Sequence, residues 1–236
     1  LVCVGIYLAV IGYQPLEVYA SMLEGSVLSV YNMKETITKA IPILICSLGL
    51  GIAFKMNFWN IGAEGQMLFG AFGAAFIALN VNLPRPLLLT LMLLAGMVCA
   101  GLWALIPGFF HVQWKTNETI TTLMMNYIAL KFITFLQYGP WKDPHAMGFP
   151  KIATFSKKAK LPSVFDINIG WIIALILVVI VHLFLNHSKK GFEASVIGES
   201  KETARYVGMN TKKTVMIAVF IGGAICGLAG AIRSEE

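Results

Sequence analysis

Asn57-Phe58-Trp59-Asn60-Ile61-Gly62-Ala63-Glu64-Gly65-Gln66 is the stretch on which the reading of this sequence turns. Amides, a carboxylate and two glycines separate the apolar run Ala40–Phe54 from the small-residue run Met67–Ala75. Asn57 or Asn60 can cap a helix start, and Glu64 in the first turn suits the positive end of a helix. Gly62, Gln66, Gly70, Ala74 and Ala78 recur every four residues, so they share a narrow face that lets another helix approach closely. Two readings stay open. The stretch is either a turn at a membrane surface leading into a capped helix, or a break within the membrane that lines a path across it.

That the flanks belong in a membrane follows from composition. Of 236 residues, 57% are hydrophobic and 13% charged, where a soluble domain carries about 25% charged residues. Mean hydropathy is +0.74. Disorder is excluded as well, because it requires low hydrophobicity and high charge. The net charge of +6 comes from Lys-rich loops. Such loops suit anionic lipid or a protein partner better than nucleic acid. Cys3, Cys46, Cys99 and Cys226 lie far apart in apolar stretches without a CxxC pair, and read as small buried hydrophobes.

A helix needs about 20 mostly apolar residues to cross the hydrocarbon. The uncharged intervals Gly65–Pro84, Pro86–Phe110, Ile167–Ser188 and Thr214–Ile232 meet this length. Ala40–Phe54 meets it if Lys39 and Lys55 snorkel, and Thr116–Tyr138 is interrupted by Glu118, Asn126 and Lys131. With Leu1–Tyr13 this predicts about seven spans. Lys and Arg divide equally between the two sides, so loop charge does not orient the chain.

Glu118, Thr122 and Asn126 repeat the four-residue spacing as a polar stripe on an apolar helix. A stripe of this kind faces protein or a water-filled path, since facing lipid is costly. Phe58, Trp59, Trp103 and Tyr127 could stack on a flat substrate or simply pack. His182 reads as a hydrogen-bonded packing residue. Gly223, Gly227 and Ala231 again step by four, a helix-packing signal shared with Gly62 and Gly70. Between Asn186 and Lys213, Ser200 can cap a short helix that Gly208 ends, with Ala204 and Val207 on one side and Lys201, Glu202 and Arg205 elsewhere.

No GxxxxGK[ST] phosphate loop, HExxH or GxSxG occurs, and the two aspartates, Asp143 and Asp166, lie in one loop. The chain therefore reads as non-catalytic, with no cofactor of its own and no metal site. An ion-coupled secondary transporter would draw on Glu64, Glu118 and His182; an inert scaffold would leave the polar stripe without purpose.

Phe58 to Gln66, Asn117 to Ala129, Gly139-Pro140-Trp141-Lys142-Asp143-Pro144 and Gly191 to Met209 occur in that order. Together they resemble permease subunits of bacterial ABC importers in the ribose/simple-sugar and branched-chain amino-acid superfamily, nucleoside-type subgroup. The resemblance implies an all-α polytopic bundle of the cobalamin-importer type in the cytoplasmic membrane, with about seven of about ten spans present. Residues 1–236 would then be a single transmembrane domain truncated at both ends.

Further expectations follow from the same likeness. The loop 186–213 would be cytoplasmic, coupling to an ATPase subunit through Gly191, Phe192, Glu193, Ser200, Ala204, Arg205 and Gly208. The loop 139–168 would be extracytoplasmic and open to a substrate-binding protein. Asn60, Glu64, Gln66, Glu118, Thr122 and Asn126 would lie near the translocation path. A second permease subunit, alike or different, would complete the transporter, and ATP and Mg would be used by the partner ATPase. Nucleosides are the implied cargo, with ribose or another simple sugar, or branched-chain amino acids, as alternatives. At Gly198-Glu199-Ser200 the family more often carries asparagine third, a change that a helix cap tolerates.

Overall fold

The computed structural model describes residues 1–143, 152–164 and 167–234. Short elements come first: α1 (Val2–Val10), α2 (Pro15–Leu23) and a π-helical turn at Glu24–Leu28. Then come α3 (Val30–Phe54), α4 (Ala63–Asn80), α5 (Arg85–Trp114) and α6 (Glu118–Tyr138). After a single-turn 3-10 helix at Lys157–Ala159, strands β1 (Ser163–Val164) and β2 (Ile167–Asn168) pair antiparallel. The chain continues through α7 (Gly170–His187), α8 (Lys189–Glu199), α9 (Lys201–Tyr206) and α10 (Thr211–Arg233).

Among the described residues, five helices are long and apolar enough to cross a membrane: α3, α5, α6, α7 and α10. About seven were anticipated, and the difference lies in two places. Leu1–Tyr13 supplies the nine-residue α1, a length of about 13 Å against a hydrocarbon thickness of about 30 Å. The helix anticipated over Gly65–Pro84 is Ala63–Asn80, and it holds Glu64, Gln66 and Asn80 within 18 residues. Two other spans shift. α3 begins ten residues before Ala40, where Ser29 caps it by accepting from Asn32 N at 3.0 Å. Ile167 and Asn168 belong to β2, so α7 starts at Gly170.

α10 is the axis of the bundle. Of its most apolar 18-residue window 78% is buried, against 17% for α7. It is flanked by α3, α4 and α5, and small residues set the separations. A Cβ on Gly70 of α4 would run into the Gly227 backbone, and one on Gly222 would lie 2.6 Å from Gly49 O of α3. On Gly223 a Cβ would collide with Ala104 of α5, and on Gly227 with Ala100. Helices drawn this close gain dispersion along their full length, the main attraction left when the surroundings are as apolar as the side chains. Gly62 lies elsewhere: it precedes α4, and its Cβ space is taken by Asn60 Oδ1 and the Thr122 side chain.

The anticipated loop 139–168 holds the short hairpin and an isolated bridge between Lys142 and Ile152. Pro144, Asp166 and the rest of 144–151 and 165–166 fall outside the described residues. Cys226 is buried, Cys46 and Cys99 are partly so, and Cys3 is exposed on α1.

Candidate functional site

The polar stretch between α3 and α4 is a non-helical connector, and its local hydrogen bonds explain why. Phe58 N donates to Ala53 O at 3.2 Å and Asn57 N to Phe54 O at 3.0 Å. This paired pattern is a Schellman stop, and Asn57 occupies its left-handed position with φ 53°. From there the chain extends through Asn60, whose N donates to Phe58 O at 2.9 Å, and re-enters a helix at Ala63.

The connector buries side chains that a membrane interior tolerates only when they are paired. Asn60, Gln66 and Thr122 are each at most 2% exposed. The Asn60 and Gln66 amides face each other at 3.3–3.4 Å, and Asn60 Oδ1 also accepts from Gly62 N at 2.9 Å. The stripe on α6 closes the other side. Thr122 Oγ1 accepts from Ile61 N at 3.1 Å while donating to Glu118 O at 2.8 Å. Asn126 accepts from Gly65 N at 2.8 Å and donates to Ile61 O at 2.9 Å. Four of the six path candidates, Asn60, Gln66, Thr122 and Asn126, thus form one network that replaces the hydrogen bonds the broken helix lacks.

Glu118 and Glu64 lie apart from it. The Glu118 carboxylate meets His111 Nδ1 at 3.1 Å, and that ring nitrogen is also 3.0 Å from Thr116 O. His111 stands edge-on to Phe58, centroids 5.3 Å apart, a partner that no sequence pattern announced. Glu64 is exposed at the start of α4. It lines an open groove with Ser47 and Leu50 of α3 and Arg233 of α10. Of the four aromatic candidates, Phe58 is buried against His111 and Trp103 stacks on Phe69 at 3.6 Å, while Trp59 and Tyr127 are exposed. His182 meets the side chain of Asn186 through Nδ1 at 3.2 Å.

On the α7–α10 side the connection folds into two capped helices. Ser188 accepts from Gly191 N at 2.9 Å and starts α8; Ser200 accepts from Thr203 N at 3.2 Å and starts α9. Gly208, at φ 80°, follows α9, and Ala204 is buried. Phe192 and Arg205 are exposed, as are Tyr206 and Val207. Glu193 is buried instead. Its Oε2 accepts from Lys190 Nζ at 2.6 Å and from Thr214 Oγ1 at 2.7 Å, which holds the carboxyl below its ordinary pKa. The sequence reading anticipated α9 and missed α8, whose glycines look like breakers.

Helices of spanning length around a small-residue axis define a multi-pass membrane protein. The chain belongs to the family described as branched-chain amino acid transport system / permease component, which it matches over residues 32–234. It is 31% identical to a glucose ABC transporter permease protein of Haloferax volcanii, over 96% of this chain and 63% of that one. It is 32% identical to a guanosine ABC transporter permease protein of Bacillus subtilis, over 94% and 65%. A nucleoside ABC transporter permease protein of Lactococcus lactis is 31% identical, over 94% and 64%. The chain thus spans just under two thirds of the length of these relatives. No solved structure matches it.

Proposed function

We propose that this chain is the transmembrane permease subunit of an ATP-driven importer that moves nucleosides by alternating access. The observation that carries the reading is the broken α3–α4 entry, sealed by the Asn60–Gln66 and Thr122–Asn126 network. Polar groups shut away from water between apolar helices are of the kind that can exchange partners with a polar solute. Relatives named for guanosine and for nucleosides support that cargo, and the relative named for glucose supports a sugar as the second reading.

In this proposal ATP and Mg act on partner ATPase subunits, and this chain binds neither. The α8–α9 connection, 186–213, is the cytoplasmic coupling segment. Its exposed Phe192, Arg205, Tyr206 and Val207 provide the contact surface, and Gly191, Glu193, Ser200, Ala204 and Gly208 keep its shape. The segment 139–168 faces a substrate-binding protein outside. A second permease subunit completes the path, and the complete bundle is of the cobalamin-importer type with about ten spans.

Uptake of labelled guanosine, ribose and glucose by a strain lacking its own permeases, together with co-purification of an ATPase subunit, tests the reading. Guanosine uptake that requires the ATPase is the expected result. Accumulation that continues without any ATPase would replace the proposal with an ion-coupled carrier, and a preference for glucose would replace the cargo.

A further inference from the structure

The connector that carries the polar network is anchored at its other end to α8. Asn57 Nδ2 donates to Gly198 O at 2.6 Å, joining positions 141 residues apart. That carbonyl lies in the last turn of α8, where helix geometry leaves it without an intrahelical donor. Gly198 itself sits directly on the end of α3, because a Cβ there would collide with Lys55 O. Ile197, one residue before, is 1% exposed and belongs to the core cluster that holds Met56 and Phe58.

The residue choice at 57 is informative. A Schellman stop usually takes glycine at the left-handed position, and asparagine costs more there. Asparagine adds an amide, and here the amide reaches α8. Three residues further on, Asn60 enters the network, and Ile61 is held by Thr122 and Asn126. Residues 57–62 are therefore a short non-helical link, tied to α8 at one end and to α4 and α6 at the other, and braced between them by the Asn60 N to Phe58 O and Gly62 N to Asn60 Oδ1 hydrogen bonds.

We propose that Asn57 is a positioning residue: through Gly198 it makes the 57–62 link follow α8, so that a shift of α8 is delivered to the α4–α6 polar network. The proposal builds on the permease reading for its transport consequence only. The mechanical linkage stands on these contacts alone.

Asn57→Gly separates the linkage from the cap, since glycine suits the left-handed backbone and removes only the amide. In the purified protein in lipid nanodiscs, hydrogen exchange at the Ile61, Gly62 and Gly65 amides should rise roughly tenfold, the equivalent of one lost hydrogen bond. The Asn57 and Phe58 amides, which belong to the cap, and the amides of α10 should not change. Gly198→Ala, which pushes α8 off Lys55, should raise exchange at the same three amides. In the assembled importer Asn57→Gly should keep the ATPase subunit and its hydrolysis while uptake falls roughly tenfold. Unchanged exchange at all three amides in Asn57→Gly would overturn the proposal. So would exchange that rises at the cap or in α10 to the same degree, because that is general loosening. Loss of ATPase co-purification from the unsubstituted protein would refute the importer reading and leave the exchange result to decide this one.

Discussion

Asn126 of α6 and Gly65 of α4 meet at 2.8 Å, side-chain oxygen to backbone nitrogen. A Cβ at position 65 would stand 2.8 Å from that same oxygen. The absence of a side chain on one helix is what admits the amide of the other. The N–H groups of a first helical turn have no intrahelical acceptor, and α4 satisfies one of them with a residue 61 positions away.

Thr122 serves the same end of α4, its hydroxyl accepting from Ile61 N at 3.1 Å. Thr122→Val keeps the shape and strands that donor, which costs about 1–3 kcal/mol. Thr122→Ser keeps the hydroxyl and should retain most of the stability. Thermal unfolding in detergent, comparing the two variants with the parent, checks this. Equal midpoints for valine and serine would show that packing, not the hydrogen bond, holds the connector.

The α5–α10 crossing leaves no room for a methyl group at Gly227. Gly227→Ala forces a Cβ into Ala100 of α5, an overpacking worth about 1–3 kcal/mol or more. Gly51 of α3 offers a contrast, with nothing within 4 Å of its would-be Cβ. There the substitution should be neutral or raise stability by up to about 1 kcal/mol through helix propensity. The unfolding midpoint should fall for Gly227→Ala and stay level or rise for Gly51→Ala.

Glu193 links α8 to α10, and the Lys190 and Thr214 donors lower its pKa. A carboxyl depressed in the folded state adds stability that is present above its unfolded pKa of about 4.3 and is lost as pH falls through the lower, folded value. Glu193→Gln removes this dependence. Stability profiles from pH 7 down to about pH 3 should therefore converge for parent and variant at the acid end. Parallel profiles would mean that the carboxylate contributes nothing through its charge.

Ser188 and Ser200 each cap one helix of the α7–α10 connection. Ser200→Ala should cost about 1 kcal/mol, and the loss should be local to α9. Hydrogen exchange is the suitable measurement, since α9 has six residues and its fraying need not lower the global midpoint. Faster exchange confined to Thr203 and its neighbours is expected; faster exchange throughout α10 would show that α9 and α10 unfold together.

Much of this architecture was legible in the residues. Ser200 and Gly208 mark the limits of α9 because capping and left-handed stops are local chemistry. The four-residue spacing of Glu118, Thr122 and Asn126 declared a polar face, and that of Gly223 and Gly227 a close approach. α8 was not legible, because Gly191 and Gly198 read as breakers when considered alone. Both are contact residues: a Cβ on Gly191 would strike the Leu185 backbone, and one on Gly198 would strike Lys55 O.

By itself the sequence determined that this is an all-α membrane protein with a polar break before Ala63, since hydropathy and cap residues act over a few neighbours. Only the tertiary structure decided what the polar faces touch. The partners of Thr122 and Asn126 are backbone groups of residues 61 and 65, and every residue type but proline carries the same N–H and C=O. Such partners leave no trace in composition or spacing. They are chosen by the closeness of α6 to the start of α4, where Gly62 and Gly65 leave room for Thr122 and Asn126.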